Sequence, residues 1–156
     1  QEKKKAELQP KWKIKGRFGF LFNQSSFSNW ASGGENTFAG NLNINYDFNY
    51  KKKNVNWDTR LISGFGLSHL SEKGWRKTDD RFELNSVLGI KITKYWFFSF
   101  LGNFKTQYTE GFNYKIEPKE SVSDFLSPAY ITFGPGVLWK KSDNLSVNYI
   151  ICSSKI

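Results

Sequence analysis

From Asn41 to Tyr50 the chain reads NLNINYDFNY, with Asn or Asp at every odd position and Leu, Ile, Tyr or Phe at every even one. A two-residue beat belongs to a β-strand, because successive side chains point to opposite faces. The beat recurs in seven tracts: 13–22, 38–50, 55–69, 81–92, 95–108, 130–139 and 145–151. In each, an apolar set opposes a polar or small one. Ile14, Phe18, Phe20 and Phe22 face away from Lys13, Lys15, Arg17 and Gly19, and Trp96, Phe98, Phe100 and Phe104 face away from Ser99, Asn103, Lys105 and Gln107. Ile62, Val87, Phe97, Leu101, Leu138 and Ile150 break the beat, so the polar face is not purely polar. No tract has a convincing helical period.

The connections predict an up-and-down order. Residues 51–54, 93–95 and 140–144 read as short turns, and 23–37, 70–80 and 109–129 as long loops. A two-residue turn at Lys53-Asn54 puts Tyr50 opposite Trp57 on the apolar face and Asp47 opposite Arg60 on the polar one. A turn centred on Lys94 puts Glu83 opposite Lys105. Most tracts have roughly the 9–11 residues with which a tilted strand crosses a bilayer. Short turns at one end and long loops at the other are the habit of outer-membrane barrels.

Composition bears on which face meets water. Aromatics reach 18%, with 15 Phe, 7 Tyr and 6 Trp, although the mean hydropathy is only −0.56. No run of apolar residues is long enough for a transmembrane helix, and a β-barrel needs none because its strands average out polar. Trp12, Trp57, Trp96 and Trp139 share the parity of the apolar sets and lie at the short-turn end. They form an interface girdle, where an indole keeps its ring in hydrocarbon and its N–H near water. Phe38, Phe82, Phe104 and Tyr108 supply a second girdle at the loop end. On this reading Lys13, Lys15, Arg17, Asp47, Asp58, Arg60, Arg81, Glu83, Lys91 and Lys105 face the lumen, as a salt-bridged plug in a narrow barrel or a positively biased lining in a wider one. The alternative is a soluble or periplasmic β-barrel or sandwich with its rings inside, binding an apolar ligand.

The net charge of +9 raises nucleic acid as a partner. The Lys clusters, however, sit in the N-terminal tail, a turn and strand ends, with no basic helix or phosphate loop, so none is expected. One Cys, Cys152, and one His, His69, exclude an internal disulfide and a metal set. No nucleophile–base arrangement marks a catalytic site, so neither enzymatic activity nor a cofactor is expected. The Gln start suits a cleaved product or a cut sequence boundary. Residues 1–11 read as a polar tail and 12–156 as the β-domain. Seven strands is an odd count, and the last tract ends ICSSKI without clean alternation. This points to an incomplete or truncated barrel, completed by the segment around Lys11 or by strands of a partner. Pro135 suggests a bulge or weak pairing.

Three loop blocks carry a family resemblance: SNWASGGEN (28–36), KTDDRFELN (77–85) and FLSPAYITFGPG (125–136). They resemble the domain-of-unknown-function 3078 proteins of Bacteroidota. That resemblance, running from about Trp12 to Tyr149, implies export and an outer-membrane β-barrel, and it implies no catalytic residue. Members usually continue through more strands. The expected partners are outer-membrane lipid and lipopolysaccharide, besides other membrane proteins. Trp30 and Glu35 in the first long loop are candidates for contact with a ligand, although Gly33-Gly34 also fits a tight turn with Trp30 packed on the rim. Trp75 and Arg76 of GWRK are candidates for contact with an anionic lipopolysaccharide or glycan.

Overall fold

The computed structural model describes residues 11–27, 35–113, 120–123, 125–142, 144–150 and 154–155. Its elements are β1 (Lys11–Ser25), β2 (Thr37–Lys52), β3 (Val55–Leu70), β4 (Gly74–Lys91), β5 (Trp96–Thr106), β6 (Gly111–Asn113), β7 (Glu120–Ser123), β8 (Tyr130–Ser142), β9 (Leu145–Ile150) and β10 (Ser154–Lys155). The main sheet runs β1-β2-β3-β4-β5-β8, every neighbour antiparallel. β9 and β10 pair with β8 at different heights and fill the seventh position together. β6 and β7 form a separate small hairpin within the longest loop. The fold is an all-β, up-and-down antiparallel sheet of seven strand positions. It is not closed into a barrel: among the described residues no ladder joins β1 to β9 or β10.

The expected registers hold. Tyr50 faces Trp57, Asp47 faces Arg60 and Glu83 faces Lys105. The turn between β2 and β3 places Lys53 at φ 44°, a positive value of the kind tight hairpins need. Three expectations need correction. Residues 70–80 are not a long loop, because β3 runs to Leu70, β4 starts at Gly74 and only a short turn lies between them. An extra residue on β4, Thr78, shifts the register between Gly66 and Leu67. Below this bulge the apolar face takes Asp80, Phe82 and Leu84; above it the face takes Trp75 and Lys77, so the two-residue beat flips phase and disappears from view. GWRK is therefore the start of a strand. At Pro135 the β5–β8 ladder passes opposite Phe100 without a shift, and the irregularity on β8 falls between Lys140 and Ser142 instead.

The sheet rolls so that the small, polar side is concave. Of the eleven buried residues among those described, ten lie on that side: Asn56, Gly64, Gly66, Ser68, Gly89, Phe97, Ser99, Gly134, Gly136 and Leu138; Thr106 is the exception. Phe97 and Leu138 are the buried hydrophobic residues, and both are among those that break the beat. The apolar side carries Trp12, Phe18, Phe20, Trp57, Trp96, Phe98 and Phe100, all exposed. The depth of the roll can be gauged from one ion pair. The row of residues containing Asp58 crosses Val87 and Leu101 to reach Gly134 on β8, and Lys140 lies six residues farther along (140 − 134). On a flat sheet, three strand spacings and six residue rises separate such positions by about 25 Å. Lys140 Nζ nevertheless lies 3.5 Å from Asp58 Oδ2.

Candidate functional site: the concave face and its rims

The concave face is built from rows of directly opposed residues. One row reads Lys15, Asp47, Arg60, Asn85, Asn103 and Thr132; the next reads Arg17, Asn45, Ile62, Glu83, Lys105 and Tyr130. Arg60 Nε donates to Asp47 Oδ1 at 2.6 Å, and Lys105 Nζ lies 3.4 Å from Glu83 Oε1. Asn103 Nδ2 donates to Asn85 Oδ1 at 2.5 Å, and Asn85 Nδ2 donates to Glu83 Oε1 at 2.9 Å, so the amides continue the ionic rows sideways. Within the strict Asn and Asp beat of β2, Asp47 thus meets Arg60 on the neighbouring strand, and Asn41 meets Thr78 one strand farther on. Glycines let such contacts cross intervening strands. Asn41 of β2 and Thr78 of β4 meet above Gly66, where a Cβ would collide with both side chains. Ser99 Oγ donates to Asn148 Oδ1 at 2.8 Å, across the strand that holds Gly136.

All ten charged residues expected on the polar side lie there by register: Lys13, Lys15, Arg17, Asp47, Asp58, Arg60, Arg81, Glu83, Lys91 and Lys105. Further charges share that side by register, among them Asp79, which lies 4.0 Å from Arg81, Lys140, on Asp58, and Lys11, which faces Lys51. Asp79 was masked in the sequence by the phase flip at Thr78, and Lys140 by its place beside a turn.

At the short-turn rim of the convex side, Trp12 lies 5.0 Å from Tyr50 and 6.3 Å from Trp57 between ring centroids. Trp96 faces Trp139 across the β5–β8 ladder. The Trp57 indole N–H donates to Ser86 Oγ at 2.7 Å, so its polar edge is satisfied on the sheet itself. At the loop rim Phe38 meets Phe22 and Trp75 edge-on, and Trp75 meets His69 at 5.0 Å. Phe82 contacts both Phe104 and Tyr108. His69 is thus a member of an aromatic rim on the convex side, with no acid–base partner described. Trp75 is exposed on the convex side, whereas Arg76, opposite Ser68, has the parity of the concave one, so the two do not share a surface.

Two acidic residues fasten the loop end. Glu35 Oε1 accepts from the backbone N–H of Glu72 at 3.1 Å, and Oε2 accepts from Lys73 Nζ at 3.1 Å. Next to it, Asn36 accepts from Phe27 N and, through its backbone carbonyl, from Ser71 N and Ser71 Oγ. Burial works against the charge of Glu35, but the bonds from Lys73 and the Glu72 amide, with the Lys73 and Arg76 charges nearby, hold its pKa below the ordinary 4.5. Trp30 lies outside the described residues. Asp80 is the fastening residue that the sequence did not reveal. It accepts from Lys77 Nζ at 2.7 Å, Tyr108 N at 2.7 Å, Thr109 N at 3.0 Å and Thr109 Oγ1 at 2.9 Å. Among the described residues no group of His, Cys, Asp and Glu has the arrangement of a metal site.

The family model described as "Protein of unknown function (DUF3078)" matches residues 22–112, which is 91 of 156 residues (112 − 22 + 1). The match runs from the end of β1 into β6 and contains SNWASGGEN and KTDDRFELN; FLSPAYITFGPG lies beyond it. No curated protein and no solved structure matches the chain. With more than half its length matched, the chain belongs to the DUF3078 family.

Proposed function

We propose that this chain forms the wall of an outer-membrane β-barrel, non-enzymatic, with its convex side in lipid and its concave side facing an aqueous interior. The loop resemblance adds a Bacteroidota source to this reading. One observation carries it: the large apolar side chains point outward and stay exposed, while the sheet rolls around its amides and charges. Water would penalise that arrangement by about 25 cal/mol for each Å² of apolar surface left uncovered. Lipid removes the penalty, and the Trp and Tyr rims suit its two interfaces. A soluble domain holding an apolar ligand inside is less well supported, because the concave face offers Arg60, Lys105, Asp47 and Glu83 where such a ligand needs hydrocarbon. The role that fits is passive: a lining for solute passage, an anchor, or a platform whose loop rim meets lipopolysaccharide and other membrane proteins.

Membrane fractionation tests this. The protein should stay in the membrane pellet through a urea wash, and its mobility on a detergent gel should change on boiling. Recovery in the detergent-free soluble fraction would overturn the reading.

A further inference from the structure

We infer that the concave face binds anions carrying more than one phosphate, sulfate or carboxylate group, and that Lys13, Lys15 and Arg17 on β1 select them. The inference rests on the membrane reading for its setting but on separate observations for its chemistry. Among the described residues, each of the four carboxylates that strand register places on that face already has a cation: Asp47 has Arg60, Asp58 has Lys140, Asp79 has Arg81 and Glu83 has Lys105. Among the described residues Lys13, Lys15 and Arg17 of β1 have no acid of their own, and Lys11 at the end of the strand faces Lys51. Lys13 faces Asn49 and Arg17 faces Asn45; Lys15 faces Asp47, whose carboxylate is held by Arg60 at 2.6 Å. All three side chains are exposed.

Alternate residues on a strand lie about 7 Å apart, so the ridge spans about 14 Å. A single small anion can touch one such cation at a time, whereas a linear polyanion can engage two or three. The concavity adds to this, since cations gathered on one curved face reinforce one another's potential. A Lys-rich edge strand has a simpler use, which is to deter pairing with other chains. That use needs charge but no ligand, and the experiment separates the two.

The full chain, purified in detergent, is titrated calorimetrically with tripolyphosphate and with orthophosphate. Tripolyphosphate should bind more tightly, and binding should weaken as salt rises. The triple variant Lys13→Gln, Lys15→Gln, Arg17→Gln should lose on the order of tenfold in affinity. Lys13→Arg with Lys15→Arg should keep it. A control losing the same charge at the turns (Lys52→Gln, Lys53→Gln, Lys94→Gln) should bind like the parent. Three results would overturn the inference: no preference for the longer anion, equal losses in the ridge and turn variants, or a ridge variant that aggregates while its affinity is unchanged. Each can be read whether or not the protein stays in the urea-washed membrane, so failure here and failure of the membrane reading are distinguishable.

Discussion

Asp80 has the parity of the convex side, yet only 3% of its side chain is accessible, because two backbone N–H groups, a hydroxyl and an ammonium converge on it. Asp80→Ala removes the acceptor and leaves covered donors behind, a change that costs about 2–4 kcal/mol. The variant should unfold at lower guanidinium concentration, and the Tyr108 and Thr109 amides, just beyond β5, should exchange faster than in the parent. Asp80→Asn, which keeps one acceptor oxygen, should fall between. Native exchange at both amides in Asp80→Ala would show that the network is not the fastening. Gly136 is sensitive for the opposite reason. A Cβ there would run into the Tyr149 carbonyl of β9 and come within 3.1 Å of both Ser99 Oγ and Ile150 Cα. Gly136→Ala should destabilise by about 1–3 kcal/mol through displaced backbone. Gly19→Ala, where nothing lies within 4 Å, should stay within about 0.5 kcal/mol. Matched denaturation curves in one detergent decide between these outcomes.

At the scale of strands and turns, much of the arrangement was legible because the period, the parity and two turn lengths all agree. The pairs Tyr50–Trp57, Asp47–Arg60 and Glu83–Lys105 follow from the turns alone. The loop end was harder to read. Thr78 adds one residue to β4 and inverts its alternation, which hid the upper half of the β3–β4 hairpin, the role of Asp79 and the convex placement of Trp75. Asp80 was invisible for another reason: two of its partners, the Tyr108 and Thr109 N–H groups, belong to the backbone and have no signature in a sequence. Glu35 gives this region a pH-dependent clasp between the first loop and the β3–β4 turn. Its folded pKa is depressed, so its contribution is complete above 4.5 and is lost as the pH falls through the folded value. The Glu72 amide resonance should therefore titrate with a midpoint below 4.5, and Glu35→Gln should abolish the transition. A midpoint at or above that value would mean that the clasp does not form in solution.

For the molecule as a whole, the alternation becomes a statement about solvents. Rolling the sheet toward its polar side puts hydrogen-bonding groups together and leaves the rings outside, and the proposed lipid environment is the outer solvent that favours this arrangement. The Trp positions make this measurable. Trp12 and Trp57 sit in one transverse row, whereas Trp96 bonds across to Ile92, four residues nearer the short turn than Leu88, which faces Trp57 (92 − 88). Strands in membrane barrels are tilted by about 35–45°, so a level in the bilayer shifts by about one residue per strand, and the offset between Trp12 on β1 and Trp96 on β5, four strand spacings away, is of that order. In single-Trp variants with the other indoles changed to Phe, reconstituted into bilayers of brominated lipid, Trp12, Trp57 and Trp96 should be quenched most strongly by bromines near the headgroups. Bromines at the bilayer centre should quench them less. Aqueous iodide should act weakly on all three. Strong iodide quenching of Trp57 together with indifference to bromine depth would place the convex side in water, and the apparent girdle would then be a row of exposed rings with no bilayer to explain it.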